Sequence, residues 1–413
     1  MGERKRIAID TRPLRIPEYR YLWISTAITA IGSPLTTVAV PKQVFDLTGS
    51  SAYVGLAGAF GLVPLLIFGL WGGAIADAFD RRTIMLVSNA GVALTSVAFW
   101  LQSIMATNVW LVLSLLAVQQ AFVAVNMPTR TAAVARLVPL DLLTSATALS
   151  STVFMVGMVF GPLVAGVLMP VVGLPTLYLI DAVALTVATM FVTRLPKLPP
   201  LDGVKRRGGI ADVVDGFRYL AGRHVLLASF LLDIIAMVAG MPRALFPEMA
   251  ERSFGDPPGG GPALGWLFAA IPIGAMLCGL LSGRFTGVRR HGVGVVVAVL
   301  LWGLAVIGFG LAHALWLAVV FLAIAGAADM ISMVYRSAIL QTAATDEMRG
   351  RMQGVFTVVV AGGPRVADLV HGSAAAGVGT TAAATGGGVL VIVLTVVAVA
   401  CLPAFWRYRA PTE

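Results

Sequence analysis

Asp233, Asp329 and Arg336 are ionisable residues set inside long apolar runs. A charge at hydrocarbon depth is costly and is by default a functional candidate. A carboxylate there can also carry a proton, because burial favours its neutral form. Asp233 lies about nine residues into its run, roughly 14 Å deep at 1.5 Å per residue, and Asp329 lies about fourteen residues into its own. Arg336 follows Asp329 by two helical turns, on a similar face. The trio suits proton coupling or substrate contact; it equally suits a fixed ion pair that never titrates. Gln119 and Gln120 could offer uncharged hydrogen bonds to a polar substrate, or tie their helix to its neighbours, as could Asn126. Arg365 and Asp368, three apart, are expected to pair locally. Asp181 is expected to be structural, bonded to a polar neighbour.

Other chemistries find no support. His224, His291, His313 and His371 are scattered, and no H-E-x-x-H, Walker A or G-x-S-x-G sequence occurs. An enzyme is not expected, and neither is a cofactor, a metal or direct use of ATP. Cys278 and Cys401 both sit in apolar runs, which indicates no disulfide framework.

The elements that must hold the charged trio are membrane helices. Of 413 residues, 58% are hydrophobic and 12% charged, with a mean hydropathy of +0.90. A soluble domain carries about 25% charged residues, so this chain cannot cover a water-facing surface of its size. A crossing needs about 20 apolar residues. The breaks between apolar runs predict spans at 20–41, 52–75, 83–105, 109–133, 142–169 and 175–193, then at 224–247, 263–283, 292–312, 315–342, 352–373 and 387–406. The stretch 374–388 is almost all Gly, Ala and Thr. Between the two sets, residues 194–223 read as a polar linker. Within it Ile210, Val213, Val214, Phe217 and Leu220 recur at helical spacing, as in an amphipathic helix lying on the membrane face.

Charge placement supplies an orientation. Of 29 Lys and Arg, only Lys42, Arg243 and Arg252 fall on the side opposite the termini, and Arg336 and Arg365 fall within spans. The positive-inside rule then puts both termini in the cytoplasm. The net charge of +9 is a topology signal and not a nucleic-acid footprint. A multi-pass protein of the inner membrane is expected, monomeric, with the bilayer, a small molecule and protons as its partners.

The chain repeats at half its length. A shift of 208 lays Gly32 and Pro34 on Gly240 and Pro242, Phe60 and Pro64 on Phe268 and Pro272, and Arg81-Arg82 on Arg289-Arg290. A shift of 206 lays Arg130 on Arg336 and Asp141 on Glu347. Two parallel six-helix halves follow, 1–193 and 224–413, an architecture associated with rocking transporters.

The segment Gly73-Ala-Ile-Ala-Asp77-Ala-Phe-Asp80-Arg81-Arg82 resembles the loop 2–3 signature of the major facilitator superfamily, with Asp80 in place of its second glycine. Gly157-x-x-x-Gly161-Pro162-x-x-Ala165-Gly166 resembles the span 5 signature of its antiporters. Ala39-Val-Pro41-Lys-Gln-Val, Phe217-Arg-Tyr-Leu, Phe268-Ala-Ala-Ile-Pro272 and Gly350-Arg-Met-Gln-Gly354 look like the siderophore-exporter branch, whose relatives include macrolide and multidrug efflux pumps. The resemblance implies an all-α integral membrane fold of twelve helices, with spans 1, 4, 7 and 10 around a central cavity. It implies gating by Gly73, Asp77, Arg81 and Arg82, Asp77 capping a helix and pairing with arginines when the inner side is closed; the plain alternative is that the arginines only set topology. It implies that Gly157, Gly161, Pro162 and Gly166 let span 5 pack closely on span 8, as a seal or as an ordinary small-residue helix contact. Drug–proton antiporters often carry an arginine midway along span 4, where this chain has Val118-Gln119-Gln120. The expected function is export of an amphipathic small molecule by alternating access, proton-coupled, with a siderophore the favoured cargo. A multidrug or macrolide-type pump is the alternative. A non-transporting membrane sensor or scaffold is the contrary class.

Overall fold

A computed structural model of the chain describes residues 10–105, 108–200, 215–216, 218–220, 222–281, 289–343 and 345–408. Four long helices come first: α1 (Pro17–Thr48), α2 (Ser51–Ala78), α3 (Arg81–Met105) and α4 (Val109–Leu137). The next helical stretch, Leu140–Val192, has 53 residues. At 1.5 Å per residue it is about 80 Å long, against about 30 Å of hydrocarbon. It divides at Gly173, whose φ of 77° interrupts the helix and is open to a residue with no Cβ. The two arms are α5 (140–172) and α6 (174–192). There follow α7 (His224–Gly240), the short α8 (Phe246–Arg252), α9 (Pro262–Leu280), α10 (His291–Gly310), α11 (Leu315–Ala343), α12 (Asp346–Val378), α13 (Thr380–Cys401) and α14 (Pro403–Trp406). No strand occurs among the described residues.

Among the described residues ten segments are long and apolar enough to cross a membrane, and one of them is the Leu140–Val192 stretch with its two arms. Helix α12, with 33 residues, also has the length, but its charged residues make it less apolar. Outward faces carry exposed Leu94, Met190, Leu304 and Trp316, whereas Asn89, Gln119, Asp181, Asp233 and Arg336 are buried. Apolar outside and polar inside is the inverse of a soluble protein, and it suits a bundle whose solvent is lipid.

Helix boundaries shift by up to seven residues from the sequence reading, as where α1 runs on to Thr48, and two stretches differ in kind. The run 224–247 is not one helix: α7 stops at Gly240, Met241 is extended, and a single 3-10 turn, Arg243–Leu245, leads into α8. Pro242 and Pro247 lack the N–H that a continuous helix would need. The last two spans are longer than expected, because the Gly/Ala/Thr tract is helical and only Gly379, at φ 85°, breaks it. Most of the expected amphipathic linker helix lies outside the described residues; Leu220 is buried.

Helix α1 packs along the α5–α6 stretch, α2 against α4, and α3 against α4 and that same stretch. Likewise α10 packs on α11 and α13, α9 on α11, and α7 on α12 and α13. The main joints between these groups are α2 with α12, and the α5–α6 stretch with α9. Each joint contains a crossing of two glycines. A Cβ on Gly166 would lie 2.8 Å from the Gly265 Cα, and one on Gly372 would lie 2.8 Å from the Gly55 Cα. Backbone touches backbone there, which only glycine permits. In the half-chain repeat α2 corresponds to α9 and α5 to α12, so the two crossings are equivalents.

The first and last described residues, Asp10 and Tyr408, lie on one face. Ser145 donates to Asp10 at 3.0 Å, the Arg81 amide donates to the Leu198 carbonyl at 3.1 Å, and Thr342 and Tyr408 share a hydrogen bond of 2.9 Å. Both glycine crossings lie toward the opposite face.

Candidate charged site between the helices

The charged trio comes together. Arg336 on α11 makes a close ion contact with Asp233 on α7, and its Nη2 is 3.7 Å from Asp329. Its Nε donates to Ser332, one turn back, at 3.1 Å. The guanidinium stands 5.9 Å from the Phe356 ring centroid, over its face. Asp233 and Arg336 are sealed in at 1% and 4% exposure, whereas Asp329 keeps 31%. One cation therefore serves two carboxylates unequally: the buried one holds it tightly and the open one loosely. Leu226, Ser229, Phe230 and Leu340 complete the crevice around the tight pair.

A second charged set was not foreseen from sequence. Lys42, 1% exposed, reaches Asp46 on its own helix and Glu251 on α8. Beside it the Ser51 hydroxyl donates to Glu248 at 2.5 Å, and Arg252 bridges Glu248 at 2.5 Å to the Gly49 carbonyl at 3.3 Å. These bonds fasten the α1–α2 turn to α8 at the face opposite the termini. Only the scarcity of cations on that side, Lys42 with Arg243 and Arg252, hinted at it.

The expected gating residues divide. Gly73 and Asp77 lie on α2, but their side chains are outside the described part of the structure. Arg81 donates to the Ala132 carbonyl at 3.2 Å, and Arg82 to the Thr193 carbonyl at 2.5 Å. Each thus ties the start of α3 to a neighbouring helix near its C-terminal end, where carbonyls favour cations. Asp80, the departure from the signature, caps α3: Oδ1 accepts from the Arg82 amide at 2.8 Å, and Oδ2 from Leu198 at 3.2 Å. The span 5 expectation needs correction. Gly166 and Pro162 do meet α9, but Gly157 and Gly161 face α1, where a Cβ would strike Ala30 O at 2.2 Å and Pro34 Cβ at 2.4 Å. Gly157 and Gly161, one turn apart, share one face, and Pro162 and Gly166 share another further round the helix, so the signature serves two neighbours.

Arg365 does not pair with Asp368 as expected; it crosses to α4 and donates to Gln120 at 2.8 Å. Three residues apart brings two helical side chains onto one face without fixing where a long guanidinium points. Gln119 donates to Ser96 at 3.3 Å. Ser96 at 2.9 Å and Thr36 at 2.6 Å donate to Asp181, 1% exposed, so it has the polar neighbours expected. His371 is buried against the Ala239 carbonyl at 3.0 Å. Among the described residues no cluster of His, Cys, Asp and Glu could hold a metal.

The chain is 27% identical over 345 residues to the enterobactin exporter EntS of Shigella boydii serotype 18, covering 83% of this chain and 81% of that protein. EntS of Escherichia coli O1:K1 is 27% identical over 342 residues, with the same coverage. Among solved structures the fold is similar to the nucleoside transporter NupG, with a TM-score of 0.71, 14% identity, and coverage of 94% and 98% of the two chains. It is also similar to a bacterial homolog of the human lysosomal transporter Spinster, inward-facing and unoccupied, with a TM-score of 0.69, 16% identity, and coverage of 96% and 97%. The profile of the transmembrane secretion effectors, a major facilitator family, matches residues 9–408. An all-helical bundle with charges held inside it and a family match along nearly the whole chain lead to one assignment: the protein is a transporter of the major facilitator type, a member of the transmembrane secretion effector family.

Proposed function

We propose that this protein exports an amphipathic siderophore across the inner membrane by alternating access, with both termini in the cytoplasm, in exchange for inward-moving protons. The cargo follows from the likeness to enterobactin exporters. The mechanism rests on one observation, the unequal sharing of Arg336 between sealed Asp233 and open Asp329. In this reading the latch at Lys42 and the two glycine crossings hold the outer side shut, and the cavity faces inward. Asp329 is the proton carrier. When it is ionised, Arg336 is held by two carboxylates; when it takes a proton, Arg336 belongs to Asp233 alone. Protonation thus changes the net charge of the site by one inside a low-dielectric bundle, where such a change is large. Asp77, Arg81 and Arg82 act at the inner gate, while Gln119 and Gln120 tie α4 to its neighbours, Gln119 through Ser96 and Gln120 through Arg365. No cofactor is required, because the proton gradient supplies the work.

The test is the secreted small-molecule profile of iron-starved cells with and without the gene, by mass spectrometry. Loss of one iron chelator from the medium, with accumulation in the cell, is the expected result. An unchanged chelator profile refutes the siderophore cargo.

A further inference from the structure

Arg130 on α4 is a half-buried charge that the transport reading does not use. Its counterpart at a shift of 206 is Arg336, with Asn126 matching Ser332; at a shift of 208, Ser25 matches Asp233. The bonding follows the same plan. Arg336 donates through Nε to Ser332, four residues back, and meets Asp233 on α7. Arg130 donates through Nε to Asn126, four residues back, at 2.8 Å, and through Nη2 to Ser25 on α1 at 3.1 Å. The first half has kept the cradle and lost the acid. Val123 stands where the second half has Asp329.

The other partners of Arg130 are also neutral: Thr26 Oγ1 at 2.8 Å and Asn89 Oδ1 at 3.3 Å. Among the described residues no carboxylate forms an ion pair with it. Asn89 is 3% exposed. Its Oδ1 accepts from both Arg130 and Asn126, the latter at 2.7 Å, which fixes the amide orientation. The Asn89 Nδ2 is left buried without an acceptor. Among the described residues, then, a positive charge without a counter-charge and an amide donor without an acceptor stand side by side. Each alone is costly to bury, and one group relieves both: an oxygen anion.

We infer that the polar cluster of Arg130, Asn89, Asn126 and Ser25 binds one anionic oxygen group, a carboxylate or a phenolate, of the transported molecule. The cargo half of this inference rests on the export reading above. Arg130 lies seven residues before the end of α4 at Leu137, about 10 Å from the face bearing the termini, so the anion enters from that side. The two halves then play different parts. The second half carries its own carboxylates and takes a proton, and the first half takes its carboxylate from the cargo.

The test uses the full-length protein in lipid nanodiscs with three probes that share a ring and differ in charge: benzoate, benzyl alcohol and benzylamine. Affinity is read by titration at constant ionic strength, alongside the unfolding temperature. Benzoate is expected to bind and stabilise while the neutral and cationic probes do not. Arg130→Gln should weaken benzoate about tenfold or more, the usual effect of losing a hydrogen bond to a charged group. Because that variant could also lose fold, Ser25→Asp is the decisive one. It rebuilds the second-half arrangement, so it should abolish benzoate binding while the ligand-free unfolding temperature stays at or above wild type. Benzoate binding that survives Ser25→Asp, equal binding of benzyl alcohol, or no binding to wild type each overturns the inference. Failure of cellular export with benzoate binding intact would remove the export reading alone; export intact with benzoate indifferent to Arg130 would remove this site alone.

Discussion

Glu251→Gln isolates the ionic part of the contact between α1 and α8. Lys42 remains paired with Asp46 on its own helix, so the substitution removes only the ion contact that crosses to α8. Breaking a fully buried pair costs about 3–5 kcal/mol. The Glu251 carboxylate is 28% exposed and Gln retains a hydrogen bond to Lys42, which brings the loss to about 1–2 kcal/mol. At 1.4 kcal/mol per factor of ten, the ratio of closed to open states at this face falls about 5- to 30-fold. The assay is electron–electron distance measurement between spin labels on either side of the latch, in nanodiscs, with Cys278 and Cys401 replaced. Arg252→Ala is the control. Its pair is on the surface, with Arg252 58% exposed, so it should shift the ratio by less than about threefold. If Glu251→Gln moves the distribution no more than Arg252→Ala, the latch does not hold this face closed.

Asp329→Asn should abolish the dependence of export on a pH gradient, whereas Asp233→Asn should leave a titrating Asp329 with Arg336 to itself; transport that stays fully gradient-dependent in both refutes proton carriage here. Gly166→Ala should lower stability by about 1–3 kcal/mol through overpacking at the α9 crossing, read as unfolding temperature, and should slow export. Asp181→Asn should leave the fold intact or more stable, because an ionised carboxylate without a cation is expensive to bury. Asp181→Leu should cost about 1–3 kcal/mol by stripping the acceptor from Thr36 and Ser96; equal stability of the two variants would contradict this. Asp77→Asn should lose flux at normal membrane expression, and unchanged flux would leave the inner gate to the arginines.

The membrane bundle was legible because lipid imposes a coarse rule, an apolar run of fixed minimum length, that composition and breaks reveal. The Asp233–Arg336 contact was legible as a possibility, since charges at similar depth on helices around one cavity have few partners available. Direction was not. Gly157 and Gly161 carry the expected signature yet face α1, and Arg365 passes over Asp368 to reach Gln120, because helix rotation and side-chain rotamer are set by neighbours remote in sequence. The Lys42 latch escaped notice for the same reason: its partner Glu251 is on α8, more than 200 residues away, beyond a proline break that the apolar run concealed.

The two glycine crossings also have a kinematic meaning. Two rigid bodies have six relative degrees of freedom, and pinning them at two separate points leaves one, rotation about the line through the pins. The Gly55–Gly372 and Gly166–Gly265 contacts are such pins, displaced toward one face. Swinging the far ends of the helices apart is a turn about that axle and leaves both pins engaged. Opening the pinned face instead requires the pins themselves to separate. In the alternating-access mechanism proposed above, four residues without side chains would thus make opening easy on one side of the membrane and costly on the other.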